Sequence, residues 1–109
     1  MRFLYIFILL FLPIFNIQSA ERVTFEISIQ NHKFVPKILE VPAGKVIVLI
    51  VHNLDDVVAE FESFELKREK IIPPGGKIKL ILKPMKAGEY EFFEDFYHPN
   101  PKGKLVVKD

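Results

Sequence analysis

The 109-residue chain reads as an all-β sandwich. Short apolar stretches alternate with polar residues at period two, Gly/Pro turns separate them at regular intervals, and no stretch after residue 20 carries a long amphipathic-helix pattern. Those three observations together indicate an all-β sandwich rather than a helical or α/β fold.

Residues 1–20 stand apart from that pattern. Arg2 supplies a positive start, Phe3–Phe15 is an unbroken apolar run, and Ser19-Ala20 offers small residues for cleavage, which is the layout of a secretory signal peptide. The run falls short of the ~20 residues a membrane-spanning helix needs, and Pro13 interrupts it. Residues 21–109 are then the folded domain, destined for the periplasm or the exterior.

The strands follow in order. Val23, Phe25, Ile27 and Ile29 alternate with Thr24, Glu26, Ser28 and Gln30, a half-buried strand over Glu21–Gln30. Asn31–Pro36 reads as a turn, Ile38–Val41 as a short strand, and Pro42-Ala43-Gly44 as a second turn. Val46–Val51 is continuously apolar and β-branched, as a central strand is, and Asn53–Asp56 breaks it. Over Glu60–Glu69 the parity conflicts, because Glu60, Glu62, Phe64 and Leu66 fall on one side. A bulge or bend near Ser63, or a short helical turn, resolves it. Pro73-Pro74-Gly75-Gly76 is a firm turn. Ile78, Leu80 and Leu82 then alternate with Lys77, Lys79 and Lys83 in another half-buried strand. Pro84–Gly88 is a loop, and Tyr90–Phe93 and Lys104–Val107 are the last two strands.

Composition removes several function classes. Without Arg2 the 15 basic residues become 14, against 14 acidic ones, so the domain is nearly neutral and has no electrostatic footprint for nucleic acid or an anionic membrane. The chain has no cysteine, hence no disulfide, thiolate ligand, thiol nucleophile or lipoprotein attachment. The Pro-Pro-Gly-Gly turn lacks the Lys-Ser/Thr of a phosphate loop. Ser19, Ser28 and Ser63 have no base-and-orienter context, and nothing in so small a domain forms a substrate cleft around an acid/base pair. The sequence therefore points away from an enzyme.

Two blocks carry a resemblance. "HKFVPKILEVPAGKVIVLIVHN" (His32–Asn53) resembles the first half of a cupredoxin, and "GEYEFFEDFYHPNPKGKLVV" (Gly88–Val107) its second half, where Gly-x-Tyr-x-Phe leads into a ligand loop. "AEFESFELKREKIIPPGG" (Ala59–Gly76), with "FYHP" and "KGKLVV", is similar to the cupredoxin domain of EfeO-type periplasmic iron-uptake components. The resemblance implies a Greek-key cupredoxin-like sandwich, export, and a role in metal handling. Iron is the metal it implies and copper the other one associated with such folds; the implied partner is a membrane permease or another uptake component.

The departures from the family pattern matter as much. Counting from the shared motifs, the position of the blue-copper cysteine falls on Glu94, and the first histidine position falls near Ala59–Glu60. Without a thiolate, type 1 copper and its electron-carrier chemistry are excluded. Tyr90, Phe92 and Glu94 share a strand face, so Glu94 is expected to point inward, where a carboxylate needs a partner, a proton or a cation. The expected metal ligands are Glu60, Glu62, Glu94 and His98, an oxygen-rich set with one imidazole. Arg68 is expected behind them, forking onto Glu62 or Glu94. The same arginine also supports a metal-free reading, in which an internal ion-pair network satisfies the acids and the sandwich serves as a docking module for a membrane complex. Glu65, Glu69, Lys70, Glu89 and Glu91 read as a solvated face. His52 reads as a structural histidine at a strand end, and His32 as an exposed turn residue.

Overall fold

The structure is a computed structural model, and it describes Phe3 and residues 21–109. The expected signal segment lies, Phe3 apart, outside the described residues. Nine strands form in chain order: β1 (Arg22–Gln30), β2 (Lys33–Val35), β3 (Ile38–Pro42), β4 (Val46–Asn53), β5 (Ala59–Ser63), β6 (Arg68–Ile72), β7 (Lys77–Leu82), β8 (Gly88–Glu94) and β9 (Lys102–Lys108). They make two sheets, one ordered β2-β1-β4-β7 and the other β3-β9-β8-β5-β6. No helix occurs among the described residues.

The core lies between the sheets because alternation in both sends the apolar parity inward. Ile27, Ile29, Ile47, Leu49 and Val51 from the first sheet meet Phe61, Phe92 and Leu105 from the second, all buried. Phe34, Phe61 and Phe92 form an aromatic knot, with Phe34 edge-on to Phe92 at 4.8 Å and Phe61 5.1 Å from Phe92. Each such pair adds about 0.5–1.5 kcal/mol beyond its buried area. Gly103 pairs with Phe92 across β8 and β9, and a Cβ there would come within 2.5 Å of the Phe92 ring. A glycine inside this strand therefore marks a close approach.

Two local expectations are corrected. Asn31–Pro36 is not only a turn. Phe34 is buried in the core and holds Lys33–Val35 against β1 as a short antiparallel strand. Glu60–Glu69 is neither a bulged strand nor a helical turn but a hairpin. Phe64–Lys67 reverses the chain, with Lys67 at φ 55° and its N–H donating to the Phe64 carbonyl at 3.3 Å. Ser63 locks the turn, its hydroxyl donating to the Glu91 carbonyl and accepting from the Leu66 N–H. The parity conflict disappears because Phe64 and Leu66 belong to the turn and to neither strand.

The loops at one end of the sandwich are pinned by buried side chains. Asn53, fully buried, donates to the carbonyls of Val57, Ile72 and Pro73 and accepts from the Asp55 N–H. The Asp55 carboxylate accepts from the N–H groups of Asn31 and His32, the two positive-φ residues between β1 and β2. His32 in turn stacks on Tyr97, with centroids 3.8 Å apart and planes 7° from parallel.

Candidate metal centre

The register of the five-stranded sheet decides which acids meet. On β5, Phe61 faces the core, so Glu60 and Glu62 project from the outer face. Glu62 lies opposite Glu69 on β6 and opposite Phe93 on β8. Phe93 faces outward on β8, and Asp95, one residue past the strand's end, is held at the same place by its N–H donating to the Glu60 carbonyl at 3.1 Å. Oxygens of Glu60, Glu62 and Asp95 lie within 4.8 Å of one another. Glu69, exposed opposite Glu62 on β6, adds its charge to the surroundings of Glu60.

This gathering is electrostatically unfavourable for the protein alone. Like charges directly opposite on neighbouring strands destabilise a sheet, as Glu62 and Glu69 do here. Glu60 is only 6% exposed. Among the described residues no ion pair joins these four carboxylates to a basic group. Burial lifts the Glu60 carboxyl from 4.5 to about 7, and the neighbouring Glu69, Glu62 and Asp95 add to the rise.

Glu94 points inward, as its parity predicts, and lies apart from that group. It sits opposite Phe61 and therefore on the inner face, the reverse of Glu60 and Glu62. It is 2% exposed, and its Oε1 accepts from the N–H groups of Glu60 at 2.8 Å and Phe96 at 3.0 Å. Two backbone donors satisfy that oxygen, so Glu94 clamps β5 to the β8–β9 loop. It also lines a cavity of about 330 Å³ with His32, Asn53, Asp55, Phe96 and Tyr97 at the loop end of the sandwich. The structure thus gathers Glu60 and Glu62 but does not bring Glu94 into their group.

His98 and Arg68 also fall outside it. His98 is exposed on the β8–β9 loop, its Nδ1 3.5 Å from the Asn100 amide. Asn100 shapes that loop, donating to the carbonyls of Glu94 and Tyr97. Arg68 forks onto neither Glu62 nor Glu94. It lies opposite Ser63 with inward parity, and its guanidinium donates to the Ile81 carbonyl on β7 at 2.9 Å, tying the free edges of the two sheets together. Sequence reasoning missed Asp95 and Glu69. Alternation from Phe93 was enough to find Asp95. Glu69 needed the hairpin register, which the sequence left ambiguous.

The two-sheet Greek-key sandwich, with an acidic residue at the end of its eighth strand, defines a cupredoxin-type domain without a thiolate. The chain belongs to the cupredoxin-like domain family, whose model matches residues 3–107. It is 50% identical over 84 residues to an uncharacterized protein of Rickettsia prowazekii (strain Madrid E), covering 77% of this chain and 67% of that one. It is 34% identical over 105 residues to the iron uptake system component EfeO of Yersinia pestis, covering 91% of this chain but only 27% of EfeO. Two solved structures share the fold. Auracyanin A, a blue copper protein from Chloroflexus aurantiacus, has a TM-score of 0.68 at 17% identity, covering 81% of this chain and all of that one. The metal-binding domain of the Cu(I)-exporting ATPase CopA of Streptococcus pneumoniae D39 has a TM-score of 0.70 at 15% identity, covering 84% of this chain and 91% of that domain. At these identities the likeness is one of fold.

Proposed function

We propose that this domain captures a hard metal cation on the outer face of its five-stranded sheet, with Glu60, Glu62 and Asp95 as ligands and Glu69 beside them. The observation that carries the reading is Glu60: a buried carboxylate without a basic partner, facing three further carboxylates. One carboxylate oxygen from each of Glu60, Glu62 and Asp95 lies within 4.8 Å of the others, close enough for the three to turn toward a single cation.

An all-carboxylate group suits Fe(III), Mn(II), Ca(II) or Mg(II) better than copper, because no imidazole or sulfur is in it. The similarity to an iron uptake component supports iron as the cargo. Export through residues 1–20 places capture in the periplasm, with hand-over to a membrane permease or another uptake component. The role is binding and release without turnover. Glu94 acts here as a structural clamp, and His98 is not needed.

Titration of the mature domain with Fe(III) citrate, MnCl2, CaCl2 and CuSO4 tests this. Binding of one equivalent is expected. Glu60→Gln and Glu62→Gln should each weaken it at least tenfold, while His98→Ala and Glu94→Gln, if folded, retain it. If the Glu60 and Glu62 variants bind like wild type, the reading fails and the metal-free docking module takes its place.

A further inference from the structure

The geometry points to a docking surface on the outer face of the five-stranded sheet, centred on Phe64 and Phe93, for a partner segment that presents arginine. Cross-strand register lines up Glu69, Glu62, Phe93 and Lys102 in one row across β6, β5, β8 and β9. Beside that row stands Phe64, 75% exposed at the hairpin turn, its ring 5.3 Å from that of Phe93. The two rings, with Glu65, Glu91, Asn100 and Lys102, line an open cleft of about 320 Å³. A large aromatic side chain held in water at a hairpin turn, next to a second ring on the sheet and a cleft, leaves apolar surface that a partner can cover.

Charge identifies the occupant. The lysines of β9 on this face are already engaged: Lys102 with Glu91, Lys104 with Glu89 and Lys108 with Glu40. Glu60, Glu62, Glu69 and Asp95 have no basic partner among the described residues, so the face carries uncompensated negative charge around the aromatic pair. An anionic lipid surface or a nucleic acid meets the wrong sign. A twofold dimer through this face would lay acids against acids. Arginine fits both features at once, because its planar guanidinium stacks on an aromatic face while forking onto a carboxylate. Lysine offers the charge without the planar fork. The rings and Glu65 lie outside the proposed cation ligands, and the charge argument holds for the cation-free face.

A synthetic peptide alternating arginine with serine, with lysine and glutamate counterparts, serves as the probe. Backbone amide shifts of the labelled domain should concentrate at residues 62–65, 91–93 and 102. Phe64→Ala, at an exposed site, should weaken arginine-peptide binding about fivefold or more and leave cation binding unchanged. The lysine peptide should bind several-fold more weakly, and the glutamate peptide should not bind. The proposal is overturned if arginine and lysine peptides bind equally and Phe64→Ala changes neither. It is also overturned if the shifts map to the other sheet, or if sedimentation shows the domain self-associating through this face and excluding the peptide. Peptide binding that depends on Phe64 in a protein that binds no cation would uphold this surface and remove the proposed metal centre.

Discussion

Glu60 and Glu94 are neighbours through one hydrogen bond yet have opposite roles. Glu94 is a buried carboxylate with two backbone donors on one oxygen; Glu60 is a buried carboxylate surrounded by other acids. Leaving a buried backbone donor without its acceptor costs about 1–3 kcal/mol, so Glu94→Ala, which strips two, should cost on the order of 3 kcal/mol, read as a lower urea midpoint. Glu94→Gln keeps an acceptor oxygen and should cost less. Glu60 gives the reverse behaviour. Its folded value of about 7 lies above the unfolded 4.5, so the folded state holds the proton more tightly. The stabilisation from that proton is complete below the unfolded value and is lost as pH rises through the folded one. Wild-type Tm should therefore fall between about pH 5 and pH 8, and Glu60→Gln should flatten that fall. A variant with an unchanged slope would show that Glu60 is not the group responsible.

At the scale of elements, the β5–β6 hairpin and the β8–β9 pair build the face. Alternation was enough to read β1 and β7, which pack one parity into the core, and β4 was legible as a continuous apolar run that is buried on both parities over Ile47–Leu49. The hairpin was not legible. Its turn is Phe64–Lys67, with no Gly, Pro or Asn to announce it, and Lys67 takes the positive φ. Ser63 and its two hydrogen bonds supply what the turn residues do not. Ser63→Ala should cost about 1–2 kcal/mol, and amide exchange at residues 64–67 should accelerate. Gly103→Ala is the counterpart on β9. Its methyl group would press on the Phe92 ring and the Lys37 carbonyl, at 2.5 and 2.8 Å. Overpacking of that kind costs about 1–3 kcal/mol, measurable as a lower denaturation midpoint with the fold retained.

For the molecule as a whole, the core and the site lie on opposite sides of one sheet. The inner face of the five-stranded sheet carries Phe61, Phe92 and Leu105, and the outer face carries the acids. Cation binding should therefore raise stability without rearranging the core. At 100 times its dissociation constant a ligand adds about 2.7 kcal/mol, so a saturating cation should raise Tm by several degrees in wild type and by little in Glu62→Gln. An equal rise in both would place the cation elsewhere.

Period-two alternation, the Gly/Pro turns and the missing cysteine were enough to establish the sandwich, the inward Glu94 and the exclusion of a thiolate copper site, because these depend on neighbours along the chain. Which carboxylates meet depends on neighbours across strands. The pairing of Glu62 with Glu69, the placing of Asp95 beside them and the diversion of Arg68 to the Ile81 carbonyl all follow from hairpin register and sheet order, and a shift of one residue in that register would turn each of those side chains to the other face.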